Sequence, residues 1–92
     1  MELADLEAVL RDRLNTAPAE SYSATLLRDP VAAQRKIMEE AFEVCLELAR
    51  PEIDAERTAE EAADLVFHLL VGLVGAGVSF DDVLKVLAER RR

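Results

Sequence analysis

Two stretches of the chain, KIMEEAFEVCLE at residues 36–47 and RTAEEAADLVFH at residues 57–68, carry the same spacing of polar side chains. At positions i, i+3, i+4, i+7 and i+11 the first has Lys36, Glu39, Glu40, Glu43 and Glu47, and the second has Arg57, Glu60, Glu61, Asp64 and His68. These offsets fall on one face of an α-helix. Nearly all the residues between them are apolar, whereas an ordinary surface helix has a wide polar face. The pattern therefore predicts two helices whose acidic stripes line a cleft.

Two explanations of the acidic stripes compete, because like charges at this spacing repel by roughly a few tenths of a kcal/mol per pair. One is a solvated acidic face, partly offset by the Lys36–Glu40 pair and by Glu61 acting as a capping residue. The other is a site for a hard cation, since Mg²⁺ binds carboxylates together with waters and substrate phosphates. Two antiparallel helices could supply half a cage for this ion from two i, i+3 pairs, Glu40/Glu43 and Glu61/Asp64.

Helical spacing and capping signals define the first half of the chain. Leucines at positions 3, 6, 10 and 14 predict a helix that ends near Asn15, broken by Thr16-Ala17-Pro18. Residues 21–27 predict a short helix or turn. Asp29 and Pro30 suit the N-cap and first position of a long helix that runs to Arg50, where Pro51 ends it.

The second half begins with a polar connection at residues 51–56. Thr58 with Glu61 matches a capping box and predicts the start of the next helix, for which Gly77 is a left-handed stop. Ser79 with Asp82 predicts a final helix with an apolar stripe of Phe80, Val83, Leu84 and Leu87. We therefore expect one all-α domain over residues 1–92, with four to five helices around a central antiparallel hairpin of residues 30–50 and 58–76.

Composition narrows the possible partners. The 92 residues carry a formal net charge of −8, which argues against nucleic-acid binding, and the most apolar run is too short for a membrane span. The lone Cys45 is expected to be a buried small hydrophobe, and the acidic N-terminus does not resemble a signal peptide, so a cytoplasmic protein is expected. A chain this short and apolar is expected to dimerise, burying Phe67, Leu70, Val74 and their neighbours.

Several segments resemble a known family. Glu39-Glu40-x-x-Glu43 followed by Glu61-x-x-Asp64 resembles the EExxE…ExxD signature of the MazG-like all-helical nucleotide pyrophosphohydrolases. More narrowly, the chain resembles phosphoribosyl-ATP pyrophosphohydrolase, the second enzyme of histidine biosynthesis. The segments that carry this resemblance are SYSATLL (21–27), EEAFEV (39–44), EAADL (61–65), FHLLV (67–71) and GVSFDDVL (77–84).

The resemblance implies a homodimer with a MazG-like four-helix core and hydrolysis of 1-(5-phosphoribosyl)-ATP to phosphoribosyl-AMP and pyrophosphate. It implies Mg²⁺ as the cofactor, with Glu40, Glu43, Glu61 and Asp64 as its ligands. The catalytic candidates are Glu39, Glu40 and Glu43, with Glu39 orienting water or holding a second ion. The substrate-binding candidates are Ser21, Tyr22, Arg28, Arg35, Lys36 and His68.

Some positions depart from the family pattern, and alternatives stay open. Thr25 stands where the family usually has lysine, Met38 where it often has glycine, and Phe67 where it often has tyrosine. His68 is either a hydrogen-bonded core residue or a group that meets the substrate. A MazG-like hydrolase of other nucleoside triphosphates and a non-catalytic helical dimerisation module are the two alternative functions.

Overall fold

A computed structural model describes residues 2–16 and 21–91. Over these residues the chain forms five α-helices and no strand, so the predicted all-α fold is confirmed. The helices are α1 (Leu3–Thr16), α2 (Tyr22–Arg28), α3 (Pro30–Leu48), α4 (Ala55–Gly75) and α5 (Phe80–Glu89). The predicted break after Thr16 falls mostly on residues 17–20, which lie outside the described residues.

The helices α3 and α4 form the central hairpin. Near one end, a Cβ placed on Gly72 would lie 3.0 Å from Ile37 Cδ1. Near the other end, Arg57 Nε lies 3.0 Å from Glu47 Oε2. Because residue numbers rise along α3 while those of their partners fall along α4, the two helices are antiparallel, as predicted.

Side-chain caps set the first boundaries of the hairpin. The Asp29 carboxylate accepts hydrogen bonds from the backbone N–H groups of Val31 and Ala32, both at 3.1 Å, and Pro30 occupies the first turn as predicted. The helix α3 ends at Leu48 rather than at Arg50, because the chain tightens there: the Arg50 N–H bonds the Glu47 carbonyl, three residues back.

The start of α4 differs from the prediction. Asp54 is the N-cap, and its carboxylate accepts a hydrogen bond from the Arg57 N–H at 3.0 Å. Thr58 lies inside the first turn, where its hydroxyl donates to the Asp54 carbonyl at 2.7 Å. The prediction of a helix opened by Thr58 and Glu61 is therefore wrong, because Asp54 satisfies the free amides one turn earlier.

The core forms where α1 and α2 pack against the C-terminal half of α4. Its buried members are Leu10, Leu26, Leu27, Leu70, Val71 and Val74. Close approach of α2 depends on Gly75, since a Cβ there would lie 2.7 Å from the Leu27 carbonyl oxygen. Gly77 follows with a φ of +76°, the left-handed stop that the sequence predicts.

Leu70 and Val74 belong to this core, with 0% and 4% of their surfaces exposed, and Phe67 packs against it partly buried. The prediction that a dimer partner covers Leu70 and Val74 is wrong, because α1 and α2 already cover them; for Phe67 it stays a prediction. Cys45 is likewise exposed rather than buried. It lies about 140° around α3 from Glu40, which is the side of the helix that faces the hairpin.

Other apolar side chains stay exposed on the hairpin. They include Val31, Met38, Phe42 and Leu46 on α3, and Val66 and Leu69 on α4. Val31, Met38 and Leu69 line a groove of about 460 Å³ between α2, α3 and α4. In the part of the chain that the structure describes, no single helix is long and apolar enough to span a membrane. Only α4 and α5 taken together have that length and apolarity, and they are bent by 107° relative to each other.

Candidate metal and nucleotide site

Three carboxylates meet between the helices of the hairpin. Glu40 and Glu43 lie one turn apart on α3, and Glu61 faces them from α4. One carboxylate oxygen from each lies within 4.8 Å of the other two. Glu40 is buried, Glu61 is partly buried and Glu43 is exposed, so the group opens to solvent at Glu43. Members of the two acidic stripes therefore meet between α3 and α4; that the stripes line a cleft stays a prediction.

The three carboxylates repel one another. The pKa of Glu43 is raised above its ordinary value, chiefly by a hydrogen-bond contact with the Glu61 carboxylate and further by desolvation and by the charge of Glu61. A contact with Glu40 and the charge of Lys36 act in the opposite direction. Such a site favours either a bound proton or a bound cation.

Two oxygens at the centre test whether a metal ion fits. Glu40 Oε2 and Glu61 Oε2 are buried, and neither has a hydrogen-bond partner among the described residues. A buried carboxylate oxygen left unpaired is costly, and a divalent cation that prefers oxygen ligands would supply the missing partner. The donor set therefore fits Mg²⁺, and Glu40, Glu43 and Glu61 are the residues that would hold it.

The remaining acidic candidates lie at the edge of this group. Asp64 is exposed, and its carboxylate is not among the three that converge. Glu39 is also exposed, and Lys36 Nζ donates to its Oε2 at 3.2 Å. The same ammonium lies 3.4 Å from Glu40 Oε1, so Lys36 lies against the carboxylate group. The pKa of Lys36 is raised, chiefly by the hydrogen bond to Glu39; desolvation acts in the opposite direction, and the charge of Glu39 and a contact with Glu40 raise the pKa further.

His68 and Tyr22 join α4 to α2 beside this cleft. The Tyr22 hydroxyl oxygen lies 2.8 Å from His68 Nε2, and His68 Nδ1 lies 2.7 Å from the backbone carbonyl oxygen of Asp64. His68 is 7% exposed, whereas Tyr22 is 56% exposed. The imidazole is thus a buried, hydrogen-bonded residue that supports a more exposed tyrosine.

The other three substrate-binding candidates are Arg28, Arg35 and Ser21. Arg28 donates through Nε and Nη2 to the Leu14 carbonyl, which ties it to the end of α1. Arg35 is exposed and lies about 100° around α3 from Lys36. Ser21 is the N-cap of α2, where its hydroxyl oxygen accepts a hydrogen bond from the Ala24 N–H at 3.1 Å.

An ion pair at the loop end of the cleft was not predicted. Glu47 is 5% exposed; Arg57 Nε lies 3.0 Å from one of its oxygens and Arg50 Nη1 lies 3.5 Å from the other. Both Glu47 and Arg57 belong to the repeated polar pattern. Their opposite charges at the ends of the two stripes nearest the connection are the signal that predicts such a pairing in an antiparallel hairpin.

The structure is thus an all-helical protein whose central hairpin brings carboxylates of two helices to one point, with a lysine beside them. The chain matches the family model of phosphoribosyl-ATP pyrophosphohydrolase over residues 3–91, and it belongs to that family.

Relatives from distant organisms agree with this assignment. The chain is 44% identical to a phosphoribosyl-ATP pyrophosphatase of Pyrobaculum arsenaticum, over 98% of the chain and 95% of that protein. It is 41% identical to a protein of the same name from a Ruegeria species, over 97% and 84%. It also matches, at 40% identity, a histidine biosynthesis bifunctional protein of Schizosaccharomyces pombe, over 98% of the chain and 20% of that protein.

Proposed function

We propose that this protein hydrolyses the α–β phosphoanhydride bond of 1-(5-phosphoribosyl)-ATP, releasing 1-(5-phosphoribosyl)-AMP and pyrophosphate, as a step of histidine biosynthesis. The observation that carries the proposal is the convergence of Glu40, Glu43 and Glu61, with two buried oxygens unpartnered, in a chain of this family. The names of the relatives supply the substrate.

The residues divide into those that hold a cation and those that act on the substrate and water. Glu40, Glu43 and Glu61 would hold Mg²⁺, and Asp64, one turn beyond Glu61 on α4, would complete the set. When bound, the ion would supply positive charge against the triphosphate and lower the pKa of water. Glu39, exposed beside these carboxylates, accepts a hydrogen bond from the attacking water and orients it.

Cations of the chain meet the phosphates that Mg²⁺ does not neutralise. Lys36 already lies against Glu39 and Glu40, so its ammonium is placed to contact the triphosphate. Arg35 and Arg28 are the candidates for the second ribose phosphate, with the Ser21 hydroxyl as a further donor. Arg28 already donates to the Leu14 carbonyl. If it does not meet the second ribose phosphate, the site favours phosphoribosyl-ATP less, so a MazG-like hydrolase of other nucleoside triphosphates is the second candidate function.

Product analysis by phosphorus NMR tests the reaction. We expect phosphoribosyl-ATP with Mg²⁺ to yield pyrophosphate and phosphoribosyl-AMP, and excess chelator to abolish the reaction. Glu61→Gln should lose at least about 100-fold in turnover, because it removes a ligand. The matched control is Glu60→Gln, an exposed neighbour outside the carboxylate group. Orthophosphate as the product, or full activity in chelator, would reject the proposal.

The exposed apolar side chains of the hairpin support a homodimer as the working form. Met38 and Phe42 are 67% and 64% exposed, one turn apart on α3, and a single chain leaves them in water. Pairing of two hairpins into a four-helix core would bury them. Light scattering should return twice the 10.2 kDa chain mass, and Phe42→Glu should return one chain mass.

The control for this measurement is Val9→Glu on α1, which should stay dimeric. A wild-type mass of one chain at micromolar concentration would reject the dimer.

A cytoplasmic location is part of the same proposal, and it rests on the lone Cys45, which forms no disulfide within the chain.

A further inference from the structure

The direction of the hydrogen bond between Tyr22 and His68 follows from what His68 touches on its other side. His68 Nδ1 lies 2.7 Å from the Asp64 carbonyl oxygen, and a carbonyl oxygen only accepts hydrogen bonds. Nδ1 therefore carries a proton. In a neutral imidazole Nε2 is then the acceptor, and the Tyr22 hydroxyl, 2.8 Å away, donates to it.

A phenol has one proton, so Tyr22 has none left for the substrate. Its oxygen keeps its lone pairs and faces its surroundings as an acceptor. The tyrosine is 56% exposed, so this oxygen is carried by a residue that a ligand can reach. A phosphate oxygen also only accepts, and it therefore cannot bond to Tyr22 in this state. Tyr22 therefore stays a substrate-binding candidate, but as an acceptor of hydrogen bonds.

The position of Tyr22 limits which groups of a bound nucleotide it can contact. Through His68, Tyr22 is joined to the backbone of Asp64, one turn beyond Glu61 on α4, and it lies near enough to Lys36 to interact with that side chain. Lys36 in turn lies against Glu40 of the carboxylate group. In a nucleotide held there by its triphosphate, the nearest hydrogen-bond donors are the hydroxyls of the ribose that is joined to the α-phosphate.

We propose that Tyr22 selects the nucleotide by accepting a hydrogen bond from a hydroxyl of this ribose, and that His68 is the positioning residue that commits the tyrosine proton. The inference rests on the proposed function for the placement of the triphosphate. It assigns recognition of the sugar to α2 and leaves the phosphates to Lys36 and the carboxylate group.

Nitrogen NMR tests the direction of the hydrogen bond between Tyr22 and His68 without any turnover of substrate. The chain has one histidine and one tyrosine, so the imidazole signals need no assignment by mutagenesis. At pH 8 we expect a protonated Nδ1 and an unprotonated Nε2, with the Nε2 signal displaced by Tyr22→Phe. A protonated Nε2 at that pH, or an Nε2 signal that is unchanged in Tyr22→Phe, would overturn the inference.

Calorimetry of α,β-methylene ATP binding with Mg²⁺ tests which group of the nucleotide bonds to Tyr22. Tyr22→Phe should weaken binding by about 2- to 12-fold, the range for one neutral hydrogen bond. The 2′-deoxy or the 3′-deoxy form of this analogue should bind wild type and Tyr22→Phe equally well. A loss that is the same for every analogue, no loss at all, or coupling to the 6-amino group instead would overturn it.

A control variant and two distinct outcomes distinguish failure of the proposed function from failure of this inference. Thr16→Val, which removes an exposed hydroxyl on α1, should leave every affinity unchanged. Wild type that binds the analogue but releases no pyrophosphate from phosphoribosyl-ATP rejects the proposed function and leaves this inference standing. Turnover of phosphoribosyl-ATP with equal binding by wild type and Tyr22→Phe rejects the inference alone.

Discussion

Glu43 on α3 and Glu61 on α4 face each other across the hairpin, close enough that the contact raises the pKa of Glu43. Two carboxylates so placed destabilise the metal-free fold, yet they are suited to share a divalent cation. The relationship makes stability and metal binding two readouts of one site.

Glu43→Gln should raise the melting temperature of the metal-free protein, because it removes the repulsion with Glu61. The same variant should lose most of the stabilisation by Mg²⁺, which for wild type reaches about 2.7 kcal/mol when the ion is at 100 times its dissociation constant. Thermal scans with and without millimolar Mg²⁺ measure both effects. Glu60→Gln should behave as wild type, and a Glu43→Gln protein stabilised by Mg²⁺ as strongly as wild type would contradict the site.

The raised pKa of Glu43 also predicts a dependence on pH. A carboxyl whose pKa is raised on folding binds its proton more tightly in the folded chain, so stability falls as pH rises from the unfolded-state value through the folded-state value. In metal-free protein, the melting-temperature difference between Glu43→Gln and wild type should therefore be small near pH 4 and largest at pH 7–8. Glu61 opposes ionisation of Glu43, whereas the contact with Glu40 and the charge of Lys36 favour it. A melting-temperature difference that shrinks as pH rises would contradict the raised pKa of Glu43.

The Glu47–Arg57 pair should stabilise the loop end of the hairpin. Because Glu47 is buried, Glu47→Gln should lower the free energy of unfolding by about 1.5–3 kcal/mol, the range for hydrogen bonds to charged groups. Denaturant titration measures this, and a double-mutant cycle with Arg57→Gln isolates the pair. The control is Glu52→Gln in the exposed connection. A coupling energy near zero would mean that the pair does not hold the helices together.

Two glycines of α4 should respond differently to alanine. A Cβ at Gly75 would lie 2.7 Å from the backbone oxygen of Leu27, so Gly75→Ala should cost about 1–3 kcal/mol as α2 is pushed away. A Cβ at Gly72 would meet the end of the flexible Ile37 side chain at 3.0 Å, and alanine favours helix by about 1 kcal/mol. Gly72→Ala should therefore be near neutral. Equal losses in denaturant titrations of the two variants would contradict the close packing of α2 on α4.

The site was predictable where it depends on helix periodicity. An i, i+3 spacing places Glu40 and Glu43 on one face whatever packs around them, and a short connection brings the facing stripe of α4 alongside. Asp64 satisfies the same spacing, yet its carboxylate lies outside the close group. Spacing fixes the face of a helix that a residue occupies, whereas the direction of its carboxylate depends on its rotamer and neighbours.

Boundaries and burial were less predictable because they depend on competition between alternatives. Asp54 and Thr58 are one turn apart and both are of residue types that cap helices, and only the folded chain shows that Asp54 caps this one. Likewise, Leu70 and Cys45 both follow apolar residues in sequence, but Leu70 is covered by the core and Cys45 is not. Which apolar faces are covered is decided by tertiary packing, here by the approach of α2 at Gly75.

The most direct test of the account is the ratio of kcat/KM for phosphoribosyl-ATP to that for ATP, measured by pyrophosphate release in the presence of Mg²⁺. The extra ribose phosphate should gain a charge-assisted contact worth roughly 1.5–3 kcal/mol, so phosphoribosyl-ATP should be preferred by about 10- to 150-fold. Equal kcat/KM values for the two nucleotides would contradict the account and would assign the site to general hydrolysis of nucleoside triphosphates.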